Sequence, residues 1–142
     1  MEVYMYYFAN IKKEDDIFVV SFPDFPNINT YGETLKEAKI MAHDALNLTL
    51  GYDSERGFVL PDKTEIKDGF RIKVEENIHL SSLFRSLRGS RPQSEIAKKL
   101  GISYQAYQKL ENPDKCNPTI QTLEKVASVF ENEVNIDFIG VH

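Results

Sequence analysis

The chain is 142 residues long and carries 17 lysines and arginines against 22 aspartates and glutamates, a formal net charge of −5 at pH 7. This length fits one ordinary domain or two small ones. The single cysteine excludes an internal disulfide, and no stretch reaches the roughly 18 apolar residues of a membrane-spanning helix. Because the amino terminus also lacks the pattern of a secretory signal, we expect a cytoplasmic protein.

The charge is divided unevenly along the chain. Residues 1–80 hold nine basic and fifteen acidic side chains, whereas residues 81–142 hold eight basic and seven acidic ones. An acidic half repels phosphate and suits a basic protein partner, while a near-neutral half still meets DNA if its cations lie on one face. We therefore expect two functions in one chain.

Three strands are predicted at the start of the chain. Residues 3–11 are dense in aromatic and β-branched side chains, and Ile17–Phe22 is a second such run after a charged turn. A hairpin is the simplest connection between them. Pro23 and Pro26 have no N–H to donate and are expected to interrupt pairing, so the third strand should cover only residues 28–31.

A helix and a fourth strand complete the first half. Thr34 and Glu37 form a T-x-x-E capping box, and apolar or small residues recur at helical spacing from there to Gly51. After a polar loop, residues 70–74 alternate apolar and basic side chains, which predicts a strand with one solvated face. The predicted order of elements is β-β-β-α-β.

The second half is predicted to be helical. A polar stretch at 75–80 is interpreted as a hinge, and residues 83–87 then form an apolar helical stripe that ends near Gly89. Near the other end of this half, Thr119 is placed to cap a helix whose apolar residues recur as far as Phe130.

Two short helices are predicted between these, within residues 92–111. Gly101 ends the first helix, and Ser103 supplies a hydroxyl to cap the second. The second helix directs long polar and aromatic side chains away from its apolar face: Tyr104, Gln105, Gln108 and Lys109. This is the outward chemistry of a DNA recognition helix.

This helix pair resembles the helix-turn-helix of the Cro/repressor (XRE-like) family, over about residues 80–130. The matching residues are Gln93, Ala97, Gly101, Leu110 and the pair Glu111-Asn112. The resemblance implies binding to the major groove of double-stranded operator DNA. Its candidate DNA-binding residues are Gln93, Ser103, Tyr104, Gln105, Gln108, Lys109, Asn112 and Lys115. Some of three nearby arginines are expected to contact phosphates: Arg85, Arg88 and Arg91. A similar helix pair also occurs in domains that bind no nucleic acid.

The first half resembles the N-terminal domain of HicB antitoxins, a partial ribonuclease-H-like fold. The shared features are SFPDFP at 21–26, TYGETLKEA at 30–38 and the alanine-spaced helix that follows. The resemblance implies that the chain binds and masks HicA, a small basic ribonuclease that cleaves messenger RNA, and that it represses its own operon. Asn27-Ile28 stands where the family often has Gly-Cys, so a role for that cysteine does not carry over.

Four residues are candidates for contact with such a toxin: Asp15, Asp16, Asp24 and Phe25. Three of them have a more ordinary alternative, since Asp15 and Asp16 lie in a charged, solvated turn and Asp24 lies between prolines, where a local Asx turn is common. No set of carboxylates converges as a metal-dependent nuclease requires, and the three histidines are scattered. We therefore expect no enzyme activity, no metal and no cofactor.

The end of the chain returns to strand spacing. Three apolar residues alternate with polar ones: Val134, Ile136 and Phe138. An unpaired apolar edge is a liability, so we expect residues 133–141 to pair with a second subunit and form a homodimer or homotetramer. The alternative is that this tail folds back on the acidic half.

Taken together, the sequence predicts an α+β protein of two domains. Residues 1–76 form a HicB-like toxin-binding domain, 77–80 a linker, and 81–142 a helical helix-turn-helix domain with a terminal β-strand. The function expected is that of an antitoxin and operon repressor. The alternative is a helix-turn-helix transcriptional repressor whose acidic domain senses a small ligand or another protein.

Overall fold

An antiparallel sheet of four strands forms the first half of the computed structural model, which describes residues 5–57 and 60–135. Its strands are β1 (Tyr6–Glu14), β2 (Ile17–Phe22), β3 (Phe25–Gly32) and β4 (Phe70–Lys73), in the spatial order β3-β2-β1-β4. Residues 3 and 4 of the predicted first strand lie outside the described residues. The predicted strand order along the chain is confirmed.

Two strands extend beyond their predicted bounds. β1 continues to Glu14, which pairs with Ile17, so the hairpin turn contains only Asp15 and Asp16. Asp15 adopts φ 55, a left-handed conformation that aspartate tolerates better than most residues. β3 begins at Phe25, so the prediction that the third strand covers only residues 28–31 is wrong. Its register with β2 nevertheless shifts between Ser21 and Phe22, and Pro26, which has no N–H to donate, lies in the part of β3 without a register partner.

Helix α1 (Leu35–Glu55) packs across the sheet through one stripe of buried side chains. The hydroxyl of Thr34 accepts a hydrogen bond from the Glu37 N–H at 3.0 Å, as the capping box predicts. The buried stripe consists of Ala38, Ala42, Leu46, Leu50 and Ser54. The prediction that α1 ends at Gly51 is wrong, since this stripe carries the helix one further turn.

The Asn47 side chain fixes α1 to the end of β4. Its amide nitrogen donates to the Lys73 carbonyl at 2.9 Å, and its amide oxygen accepts from the Glu75 N–H at 2.8 Å. The core of the first half includes aromatic rings, among them Tyr7 and Phe25, whose centres are 4.8 Å apart in edge-to-face contact.

Four helices follow: α2 (Glu76–Arg88), α3 (Gln93–Leu100), α4 (Tyr104–Leu110) and α5 (Ile120–Val129). The predicted polar linker at 77–80 is helical, because α2 begins at Glu76. Ile78 belongs to the core of the first half, while Phe84, further along the same helix, belongs to the core of the second. One helix therefore enters both cores, and the stretch predicted to be a polar linker is part of it.

The architecture is α+β, as predicted: an antiparallel sheet covered by α1, followed by a helical region. Within residues 5–57 and 60–135, none of the helices is both long and apolar enough to cross a membrane.

Gly32 and Gly51 provide a matched test of this packing. A Cβ at Gly32 would lie 2.3 Å from the Ala38 backbone nitrogen, whereas at Gly51 it would meet the Ile78 Cδ1 at 3.8 Å. We expect Gly32→Ala to destabilise the protein by about 1–3 kcal/mol, since α1 must move off the strand. We expect Gly51→Ala to stabilise it by up to about 1 kcal/mol through helix propensity. Urea unfolding followed by circular dichroism measures both, and equal midpoints would contradict the packing.

Candidate nucleic-acid interface

Local signals in the sequence define the α3–α4 pair. Gly101 ends α3 in the left-handed conformation with φ 71, and the Ser103 hydroxyl then accepts the Ala106 N–H at 3.0 Å to cap α4. Ile96 and Tyr107 are fully buried between the helices. Tight packing of this pair leaves one face of α4 directed outward.

The outward face of α4 carries the side chains predicted to meet DNA. Four of them are exposed: Tyr104, Gln105, Gln108 and Lys109. Ser103 is also exposed, although its hydroxyl is engaged in the cap. The face therefore combines amide, ammonium and aromatic groups, which suit hydrogen bonding to base edges in the major groove.

The other predicted contacts are placed less uniformly. Lys115 is exposed in the segment after α4, while Asn112 is half-buried and its amide oxygen accepts the Asp114 N–H at 2.9 Å. Gln93 is half-buried, and its amide donates to the Glu111 carboxylate at 3.2 Å. Gln93 and Asn112 thus have structural partners within the protein in addition to any contact with phosphate.

A buried carboxylate lies at the end of α4. Glu111 is only 3% exposed, and Arg88 donates to both of its oxygens, at 2.6 and 2.9 Å. Burial alone raises the pKa of Glu111, but the polar groups around it, Arg88 first and then Tyr107 and Gln93, outweigh it and hold that pKa below its usual value. Glu111 therefore stays ionised at neutral pH.

Arg85 connects this site to the first half. One amino group of its guanidinium donates to the Ser54 carbonyl in the last turn of α1, and the other donates to the Glu111 carbonyl at 3.0 Å. A cation at the carboxyl ends of two helices is favoured by their dipoles. Ser54 lies 31 residues before Arg85 in the chain, so no local pattern could have revealed the contact.

The three arginines expected to contact phosphates all have partners within the protein. Arg91 lies over the Phe130 ring at 4.7 Å and donates to the Leu87 carbonyl at 2.8 Å. Arg85 and Arg88 are engaged as described above. All three guanidinium groups are therefore directed to partners within the protein.

The four candidate toxin-binding residues fall into three environments. Asp15 and Asp16 are exposed at the β1–β2 turn. Asp24 accepts the Thr64 N–H at 2.9 Å and its hydroxyl at 2.6 Å, so it ties the long loop to the sheet and does not form a local Asx turn. Phe25 is 7% exposed and its side chain lies in the core, so it is not available to a partner. This corrects its prediction as a toxin contact.

An apolar stripe on the outer face of α1 was missed from the sequence. Met41, Leu48 and Tyr52 recur at helical spacing, and all three are exposed, Leu48 to 77%. Glu37, Asp44 and Glu55 follow one side of this stripe and are also exposed. In the sequence these apolar residues lie outside the stripe assigned to the core. Helical periodicity alone did not show that they form a second, exposed apolar face.

The predicted dimer contact is described only in part. Val134 is exposed, and the described residues that surround it carry no strand. Ile136 and Phe138 lie outside the described residues.

Two family models match separate parts of the chain. The family model for HicB-like antitoxins of bacterial toxin–antitoxin systems matches residues 6–79, which are 74 of the 142 residues. The helix-turn-helix family model matches residues 86–135. No curated protein matches the chain.

Removal of Arg88 should make stability depend on pH in a predictable direction. Arg88→Met leaves Glu111 buried without its main partner, which costs about 3–5 kcal/mol at pH 7. Burial then raises the pKa of Glu111 above its unfolded value, so the folded variant binds a proton more tightly than the unfolded chain does. We therefore expect the deficit relative to the wild type to shrink as pH falls from 7.5 to 5.5.

Unfolding free energies from urea titration at both pH values test this. The double variant Arg88→Met with Glu111→Gln is the control, because it has no carboxylate to titrate and its deficit should be the same at both values. A deficit for Arg88→Met that is equally large at both pH values would contradict the assigned role of Glu111.

Proposed function

The chain belongs to the HicB-like antitoxins of bacterial toxin–antitoxin systems, and we propose that it neutralises a small basic ribonuclease of the HicA type and represses its own operon. The observation that carries this proposal is the union, in one chain, of a HicB-like region with a helix-turn-helix. We propose further that it acts in the cytoplasm by binding, without catalysis of its own.

The repressor function is assigned to α4. Its exposed row of polar side chains is held at a fixed angle by the caps at Gly101 and Ser103 and by the buried Glu111 pair. We propose that Gln105 and Lys109 contact base edges and that Lys115 contacts phosphate. Support comes from their common exposure on one face.

The inhibitor function is assigned to the first half, whose charge is complementary to a basic protein. We propose that the toxin contacts the exposed turn at Asp15 and Asp16 and the outer apolar stripe of α1, defined by Met41, Leu48 and Tyr52. The acidic side chains beside that stripe favour approach of a cationic surface, and the apolar side chains favour its retention.

Operator binding is proposed to require an even oligomer. A two-fold dimer would place two α4 helices roughly 34 Å apart, one turn of DNA, on a palindromic site. The second half has a net charge of only +1, so the helix-turn-helix region of one subunit (one DNA-binding head) neutralises few phosphates. Two linked heads bind with avidity that exceeds single-site affinity by about 10²–10⁴.

The inhibitor function predicts capture of a defined partner. Expressed with the adjacent gene for a small basic protein, the chain should co-purify with it in fixed stoichiometry and abolish its cleavage of messenger RNA. Asp15→Lys with Asp16→Lys should slow association by roughly tenfold or more at low salt. Leu48→Asp should accelerate dissociation, because it places a charge on the apolar stripe.

Glu124→Lys is the control, since it reverses one exposed charge on α5 in the other half. Association rates from surface plasmon resonance compare the variants. If no partner co-purifies while the operator is still bound, the inhibitor function is wrong, and the chain is a repressor whose acidic half senses another ligand.

The oligomer is tested by deletion of residues 133–142, which leaves α5 intact because that helix ends at Val129. We expect the mass from light scattering to halve and operator affinity to fall by about 10²–10⁴, through loss of the linked second head. A dimer that persists after the deletion would rule out pairing through this segment.

A further inference from the structure

We infer that the DNA-binding surface extends beyond the helix-turn-helix to the carboxyl end of α1, where Arg56 contacts a backbone phosphate. The inference rests on the proposed DNA-binding function and adds to it a contact from the half of the chain that matches the antitoxin family. Arg56 is the residue directly after α1, whose last residue is Glu55.

A single groove joins Arg56 to α4. Arg56 and Gly57 line it on one side, and Gln105, Gln108 and Lys109 line it on the other. A duplex seated against the outward face of α4 would therefore run past the end of α1. Phosphates flank the bases on both strands, so a cation beside a base-contacting helix is placed to meet one.

The end of α1 is held in place by polar contacts to the second half. Arg85 donates to the Ser54 carbonyl, and the Ser54 and Ser82 hydroxyls are 3.3 Å apart in a buried setting. Asn77, on α2, donates to the Pro113 carbonyl just beyond α4. Because Arg56 is only two residues after Ser54, its position relative to α4 is set by the fold.

The charge around the groove favours an anion. Among the described residues that line it, the cationic side chains are Arg56, Arg85, Arg88, Lys109 and Lys115, and the carboxylates are Glu55 and Glu111. Glu111 is neutralised by its pair with Arg88. Glu55 lies beside Asp114, which raises its pKa, and these two carboxylates are outnumbered by the remaining cations, Arg56, Arg85, Lys109 and Lys115. The groove therefore remains positive.

Tyr52 supports the Arg56 side chain from one turn earlier in α1. The guanidinium lies 5.1 Å from the centre of the Tyr52 ring, and one amino group donates to the Tyr52 hydroxyl at 3.3 Å. Stacking on an aromatic ring holds the planar group in one orientation, which lowers the cost of ordering it on binding. The helix cap uses the backbone N–H of Arg56, so a side-chain substitution leaves the cap intact.

The test is the salt dependence of DNA binding. Fluorescence anisotropy gives the affinity of the full chain for the duplex upstream of its own gene and for a scrambled duplex, between roughly 0.05 and 0.3 M salt. We expect Arg56→Ala to weaken binding to both duplexes alike, with the logarithmic slope smaller by about 0.9, so that the ratio of wild-type to variant affinity falls by roughly fivefold between the lowest and the highest salt. Arg56→Lys should retain most of the slope.

Lys36→Ala is the matched control, because it removes one exposed cation from the opposite end of the same helix. If Lys36→Ala weakens DNA binding as much as Arg56→Ala does, the lost affinity reflects only the change in net charge, and the proposed contact is wrong. Gln105→Ala tests the proposed function separately, since loss of a base contact should weaken operator binding more than scrambled-duplex binding. A wild-type chain that binds neither duplex would overturn both proposals.

Discussion

The negative charge of Glu111 is the constraint on which the arrangement of the molecule depends. A carboxylate that is 3% exposed stays ionised only if donors surround it. Arg88 reaches it from α2 and Gln93 from α3, so three helices must meet at one point. Arg85, three residues before Arg88, binds the Glu111 carbonyl and extends this polar cluster to the end of α1. One buried charge thus fixes the recognition helix relative to both halves of the chain.

The two halves of the chain also share one helix, α2. Ile78 and Phe84 lie on α2 but belong to different hydrophobic cores. A helix packed at both ends fixes the orientation of one half relative to the other better than a flexible linker would, because bending it would expose apolar surface on each side. Under the proposed function, a toxin bound to the first half acts on DNA binding through a rigid body. The affinity then changes only if the toxin alters the spacing of two heads or occupies surface that DNA also needs.

The sequence predicted what local chemistry determines. Thr34, Ser103 and Thr119 each form the cap that their spacing indicated, and Gly101 adopts the left-handed conformation expected at a helix end. The errors occur where distant residues decide the outcome. Gly51 stays helical because its neighbours along α1 are buried against other elements. The partners of Arg85 lie 31 and 26 residues away along the chain. The local sequence around Arg85 therefore could not show that its guanidinium bonds within the protein.

Tyr52 is the point at which the two proposed functions meet. Its ring ends the apolar stripe assigned to the toxin, and the same ring supports Arg56 beside the DNA-binding groove. A partner that covers Tyr52 changes the surroundings of Arg56, so the free energy of one complex depends on the presence of the other. Linkage makes this coupling reciprocal: if toxin weakens DNA binding, DNA weakens toxin binding by the same factor. If both proposed contacts hold, the exposed end of one helix is sufficient to couple inhibition to repression.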